Sequence, residues 1–156
     1  MPDLTFLIPY TKFLHVAAIF TAVTLVVGGD LSFLRVASSG SAEATARLGH
    51  AIRRRGPITG PILEIAIVFG FITAILGGFD LLAFWLVGAY IVVVVMTVFA
   101  FRVAAPEFTA ILASAEAGDD AGVAAAISTG RYRRIALANG ALFAIVIFLM
   151  VVKPSW

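Results

Sequence analysis

Four long apolar stretches leave this chain few ways to fold. Residues 12–34, 58–78, 81–103 and 134–152 are each mostly apolar and close to the length of a membrane span, about 20 residues. Little chain remains for a soluble domain, so residues 1–156 are expected to form one domain. Composition agrees: 62% of the residues are hydrophobic and the mean hydropathy is +1.07, whereas globular chains run near half apolar. The predicted class is an all-α membrane protein, a four-helix antiparallel up-down bundle. The first stretch is too long for a signal-peptide h-region. It also lacks a basic leader and a small-x-small cleavage site, so it is read as a retained span.

Arginine placement predicts the topology. All nine arginines lie at or between the ends of spans one and two or of spans three and four. The two lysines, Lys12 and Lys153, lie at the opposite ends. The positive-inside rule then puts the connections 35–57 and 104–133 in the cytoplasm and both termini on the outer side. A bacterial inner membrane is the expected location. Tyr10, Trp85 and Trp156 would share the outer interface, where aromatic belts form. The pI of about 9.4 thus reports topology and contact with lipid, not nucleic acid. Arg53, Arg54 and Arg55, with Arg131, Arg133 and Arg134, are the expected topology determinants and contacts for anionic head groups.

The link "GGFD" after span two is short and predicts a hairpin. Ser41 is placed to cap a helix in the first arginine-rich connection, and Gly56 and Pro57 are expected to break that helix before span two. Pro106 is expected to bend or restart the continuation of span three. A polar turn and a short Ala-rich helix then lead to span four.

Several polar residues lie within the spans. By a rise of about 1.5 Å per residue, Asp30, Glu64, Thr97 and Asn139 fall at similar depth, one on each helix. They are expected to form an intramembrane polar layer. Ionisable groups at that depth are functional candidates, and two close carboxyls suit proton handling. Mutual hydrogen bonding between helices is the structural alternative. His15 lies in the outer third of span one, roughly 22 Å along the axis from Asp30. An imidazole there is a candidate axial ligand for b-type haem or a ligand for copper. Alternatively it bonds a neighbouring carbonyl or water. Ile19, Ala22, Val26, Gly29 and Phe33 continue its face, so a flat cofactor or a helix can approach closely. His50 belongs to the opposite side and reads as a solvated residue.

The chain has no cysteine, which excludes disulfides, Cys-ligated zinc, iron–sulfur clusters and covalent c-type haem. There is no phosphate loop, metalloprotease motif or nucleophile elbow, so the sequence gives no sign of an enzyme.

The ends of the chain carry a family resemblance. "YTKFLHVAAI" near the start and "RYRRIALANGALFAIVIFLMVVKP" near the finish resemble domain-of-unknown-function family 2269, bacterial four-helix integral membrane proteins. The resemblance covers nearly the whole chain and implies architecture, since that family carries no established activity. "KFLHV" is also similar to the first span of D-type copper-resistance membrane proteins and of small membrane protoporphyrinogen oxidases. In the oxidases a first-span histidine is implicated in haem binding, which would make His15 the ligand. The third span here has no intramembrane lysine, a departure that argues against carrying over the oxidase activity. Three readings stay open at this point. They are a His15-anchored haem or copper site in a redox or cofactor-handling role, an accessory or scaffold subunit of a larger membrane complex, and a proton-coupled carrier using Asp30 and Glu64. The carrier reading calls for a homodimer.

Overall fold

A computed structural model describes residues 4–154. Every regular element among them is helical. A 3-10 turn, Thr5–Leu7, leads into α1 (Ile8–Ala37), followed by α2 (Ala42–Leu76) and α3 (Phe84–Phe99). A π-helical stretch, Ala100–Ala104, joins α3 to α4 (Ala105–Glu116); α5 (Asp120–Ser128) and α6 (Arg131–Val152) complete the fold. Four helical runs are long and apolar enough to cross a membrane: Thr5–Ala37, Ala42–Leu76, Phe84–Glu116 and Arg131–Val152. Trp156 lies outside the described residues.

The helices outrun the apolar stretches, and this changes two boundaries. Ser41 caps α2 as expected, its hydroxyl accepting from the Ala44 N–H at 3.3 Å. However, Gly56 and Pro57 do not break the helix, and Pro57 and Pro61 both lie inside α2. A proline removes one intrahelical bond and costs about 3 kcal/mol in a helix interior. α2 packs along α1, which holds both flanks of the prolines in place. The second difference is the start of α3, at Phe84 and not residue 81. Gly78 takes a left-handed conformation (φ +67°), and the Asp80 carboxylate accepts from the Leu82 N–H at 2.9 Å. That local turn occupies the residues that would otherwise begin the helix.

Pro106 falls in the first turn of α4, where a missing N–H is least costly. The preceding π stretch absorbs the change of register. Asp119 caps α5 by accepting from the Gly122 N–H at 2.8 Å. Its neighbour Asp120 reaches across to accept from the Ala42 N–H, in the first turn of α2, at 2.6 Å. One short segment thus satisfies two helix N-termini.

The best-buried core lies at the arginine-rich end. Phe33, Ile111 and Tyr132 form one cluster, and Ala37, Ala42, Ala115 and Val123 another. The Phe33 ring lies 4.7 Å from that of Phe108 and 5.3 Å, edge-on, from that of Tyr132. Gly49 makes room here, because a Cβ on it would meet the Leu112 and Phe33 side chains. Arg131 pairs with Glu107 at 3.0 Å. Glu116 lies 3.5 Å from both Arg53 and His50. His50 is therefore a half-exposed member of α2 with partners, and not an isolated loop residue. At the lysine-bearing end, the Lys153 ammonium sits 4.1 Å over the Phe79 ring, and Trp85 meets Phe79 edge-on. In the upper part of the bundle α1 packs on α2 and α6, and α6 packs on α3.

Because Phe33 is fully buried while Phe20 is 65% exposed, Phe33→Ala is expected to destabilise the protein by about 3–5 kcal/mol. Phe20→Ala is expected to change little. Thermal unfolding of both variants in the same detergent checks this.

Candidate functional site: an anchored imidazole and a tied carboxylate

His15 lies on the α1 face that packs against α2. Its Nδ1 is 2.6 Å from the Ala66 carbonyl oxygen. A carbonyl only accepts, so Nδ1 carries the hydrogen and donates it, and in the neutral ring Nε2 keeps the lone pair. Gly70 makes this contact possible. A Cβ built on Gly70 would lie 2.8 Å from both Nδ1 and Cε1 of the imidazole. With no side chain at residue 70, the ring reaches a carbonyl that an ordinary helix surface would shield. One turn further toward the lysine-bearing end, the hydroxyls of Thr11 and Thr73 lie 2.9 Å apart. Each is also in reach of a carbonyl of its own helix, Ile8 and Phe69 respectively.

The small residues following His15 on α1 are taken up by packing. Ala18, Ala22, Gly29 and Phe33 are buried in the structure. Ile19 and Val26 on the same face are partly buried.

Asp30 forms the second constellation. Its two carboxylate oxygens accept from the Tyr132 hydroxyl at 3.0 Å and from Asn139 Nδ2 at 2.7 Å. Tyr132 and Asn139 are seven residues apart on α6, hence on one face, and both are buried. Both donors are neutral. The arrangement gives a carboxyl among apolar neighbours two hydrogen bonds and locks α6 to α1.

The expected four-residue polar layer is therefore only half formed. Asp30 and Asn139 meet, and Tyr132 joins them. Glu64 is exposed and has no partner among the described residues. Thr97 is exposed and returns its hydroxyl to the Val93 carbonyl of its own helix at 2.9 Å. Similar depth was legible from residue count, but helical phase turns Glu64 and Thr97 away from Asp30. Tyr132 was missed, although its spacing from Asn139 was the available signal. Gly70 gave no signal, since glycines are common in spans. Of the arginines, Arg53 and Arg131 are paired, whereas Arg54, Arg55, Arg133 and Arg134 are exposed without a hydrogen-bond or ion-pair partner among the described residues. A surface recess is lined by Arg47, His50, Arg53 and Arg54.

Among the described residues no group of three or more His, Cys, Asp or Glu side chains is placed to hold a metal ion. Haem needs only one imidazole from the protein, and an imidazole whose other nitrogen donates to a carbonyl is oriented as metal-bound histidines usually are.

In comparisons with known proteins, no family model, curated protein or solved structure matches the chain.

Removing the Asn139 amide leaves one oxygen of Asp30 without its donor, which costs about 1–3 kcal/mol. Asn139→Ala is therefore expected to lower stability in detergent, and Asp30→Asn combined with it to cost less than the sum of the two single changes. A double-mutant cycle on thermal stability reads this coupling.

Proposed function

We propose that this is an integral membrane protein that binds b-type haem through His15 and serves redox or cofactor handling. The observation that carries the reading is the His15 Nδ1 to Ala66 carbonyl contact of 2.6 Å. It fixes the ring and leaves Nε2 as the donor. Bound haem supplies one-electron redox chemistry. The chain's own part is to orient the imidazole through Ala66, to give it clearance at Gly70, and to seat it between two apolar helices. His15 would be the residue that holds the haem, with His15 of a second copy able to share it. The resemblance of the "KFLHV" stretch to haem-associated first spans supports the same assignment. Asp30 reads as a tie between helices: Tyr132 and Asn139 occupy both its oxygens, and it shares no hydrogen bond with Glu64.

The proposed setting is a bacterial inner membrane, with an antiparallel up-down arrangement and both termini outside. Support comes from the contacts Thr11–Thr73, Phe33–Gly49 and Lys153–Phe79 and from the confinement of every arginine to one end. The recess lined by Arg47, His50, Arg53 and Arg54 then faces anionic head groups.

Absorption spectra of protein purified from haem-replete cells, oxidised and dithionite-reduced, test the cofactor. A Soret band is expected in the wild type and not in His15→Ala. Gly70→Ala, which drives a Cβ into the imidazole, is expected to reduce haem loading while helicity is kept. Featureless spectra throughout would sink the haem assignment and bring the accessory-subunit reading forward. Because the chain has no cysteine, topology is testable with single introduced cysteines. An impermeant maleimide on intact cells, with the outer membrane permeabilised, is expected to label Asp80→Cys and not Ser39→Cys.

A further inference from the structure

The recess at the arginine-rich end of α2 has more organisation than a topology signal needs. Arg47, His50, Arg53 and Arg54 line a volume of about 450 Å³, within the range of roughly 300–1,000 Å³ typical of small-molecule sites. Arg47, His50 and Arg54 follow one another at steps of three and four residues and so share one face of the helix. Neighbouring carboxylates hold two of the arginines in place. Arg47 pairs with Glu43 at 2.6 Å. Arg53 donates from Nη2 to His50 Nδ1 at 3.2 Å, and Glu116 on α4 lies 3.5 Å from both side chains. A guanidinium has five N–H donors, so Arg47 and Arg53 keep donors to spare. Arg54 has no hydrogen-bond or ion-pair partner among the described residues. Three guanidiniums thus face two carboxylates. The excess positive charge suits an anion with several acceptor oxygens, phosphate above all.

The same face of α2 continues into the span. Ile58, Pro61 and Ile65 follow Arg54 at four, seven and eleven residues, a helical repeat, and all three are exposed. An open apolar lane therefore runs out of the recess along the helix. Ile58 opens the apolar stretch, and by helical rise Arg54 lies roughly 6 Å before it and Arg47 roughly 16 Å before it. The polar layer of one bilayer leaflet is roughly 5–7 Å deep. Arg53 and Arg54 are then level with lipid phosphates, whereas His50 and Arg47 reach beyond them. A single phosphate at the membrane surface meets only the first pair. A head group with a second phosphate beyond the first meets all four residues. No Phe, Tyr or Trp is among the described residues that line the recess, so a nucleotide base finds no aromatic stacking surface there. The lane accepts a hydrocarbon chain instead.

We propose that the recess and its lane bind a lipid diphosphate, an apolar chain ending in two linked phosphates. Arg53 and Arg54 take the phosphate next to the chain, Arg47 and His50 take the terminal one, and Ile58, Pro61 and Ile65 carry the chain. The assignment rests on the membrane setting proposed above and is independent of haem at His15.

The test uses the full chain in mild detergent, with farnesyl diphosphate as probe and isothermal titration calorimetry as readout, corrected for titration into detergent alone. Saturable binding is expected in the wild type and in His15→Ala. Farnesyl monophosphate lacks the terminal phosphate and inorganic pyrophosphate lacks the chain. Each is expected to bind weaker than the probe by roughly tenfold or more. Arg47→Gln and Arg54→Gln each remove charge-assisted hydrogen bonds and are expected to weaken binding by roughly tenfold, with helical circular dichroism unchanged. Arg102→Gln removes an exposed arginine of the π-helical stretch and is expected to bind as the wild type does. Five results overturn the proposal. They are no saturable binding, full binding by Arg54→Gln, an equal loss in Arg102→Gln, equal binding of pyrophosphate, which marks a site for soluble anions, and equal binding of the monophosphate, which marks contact with any anionic head group. The Soret band and the cysteine labelling report haem and topology separately, so failure of this site and failure of that reading are told apart.

Discussion

A carboxylate set among apolar helices must be given hydrogen-bond donors, and here both come from one face of α6. The Asp30–Tyr132 and Asp30–Asn139 bonds fix the rotation and height of α6 against α1. Much else follows from that placement. The Tyr132 ring turns its edge to Phe33, which extends the core to Phe108 on α4. α6 also carries α3 on its other flank, and its last turn delivers Lys153 to Phe79 and Trp85. Apolar burial supplies little orientational preference between helices that are greasy all round, because lipid is as apolar as a neighbouring helix. Directional bonds to a single carboxyl group supply that preference instead.

The two ends of the molecule are held differently. At the arginine-rich end, α4 and α5 fold back on α1, α2 and α6, and alanine contacts, ring packing and cross-capping by Asp120 build a dense core. Toward the lysine-bearing end the helices meet through sparse polar contacts, His15 with Ala66 and Thr11 with Thr73. The proposed haem ligand thus sits outside the two buried clusters. It lies in the α1–α2 seam, where Gly70 clears space for the imidazole.

Length and hydropathy determined the four span-length helices, since an apolar segment of that length can satisfy its backbone only internally. Local chemistry likewise determined the Ser41 cap, the restart at Pro106 and the short helix after the polar turn, each governed by neighbours within a few residues. Residue count along each helix placed Asp30, Glu64, Thr97 and Asn139 at one height. Which of them meet is a matter of rotation about the helix axes, and only the tertiary structure decided it. Packing joined Tyr132 to Asp30, left Glu64 exposed, and brought Gly70 under the imidazole. It also carried α2 through Pro57, because packing against α1 on both sides outweighs the local cost of proline. A lone histidine in a span has no fixed role by itself. The Ala66 carbonyl, fifty-one residues away in the chain, gives the ring its tautomer and its direction, a contact that no local pattern encodes.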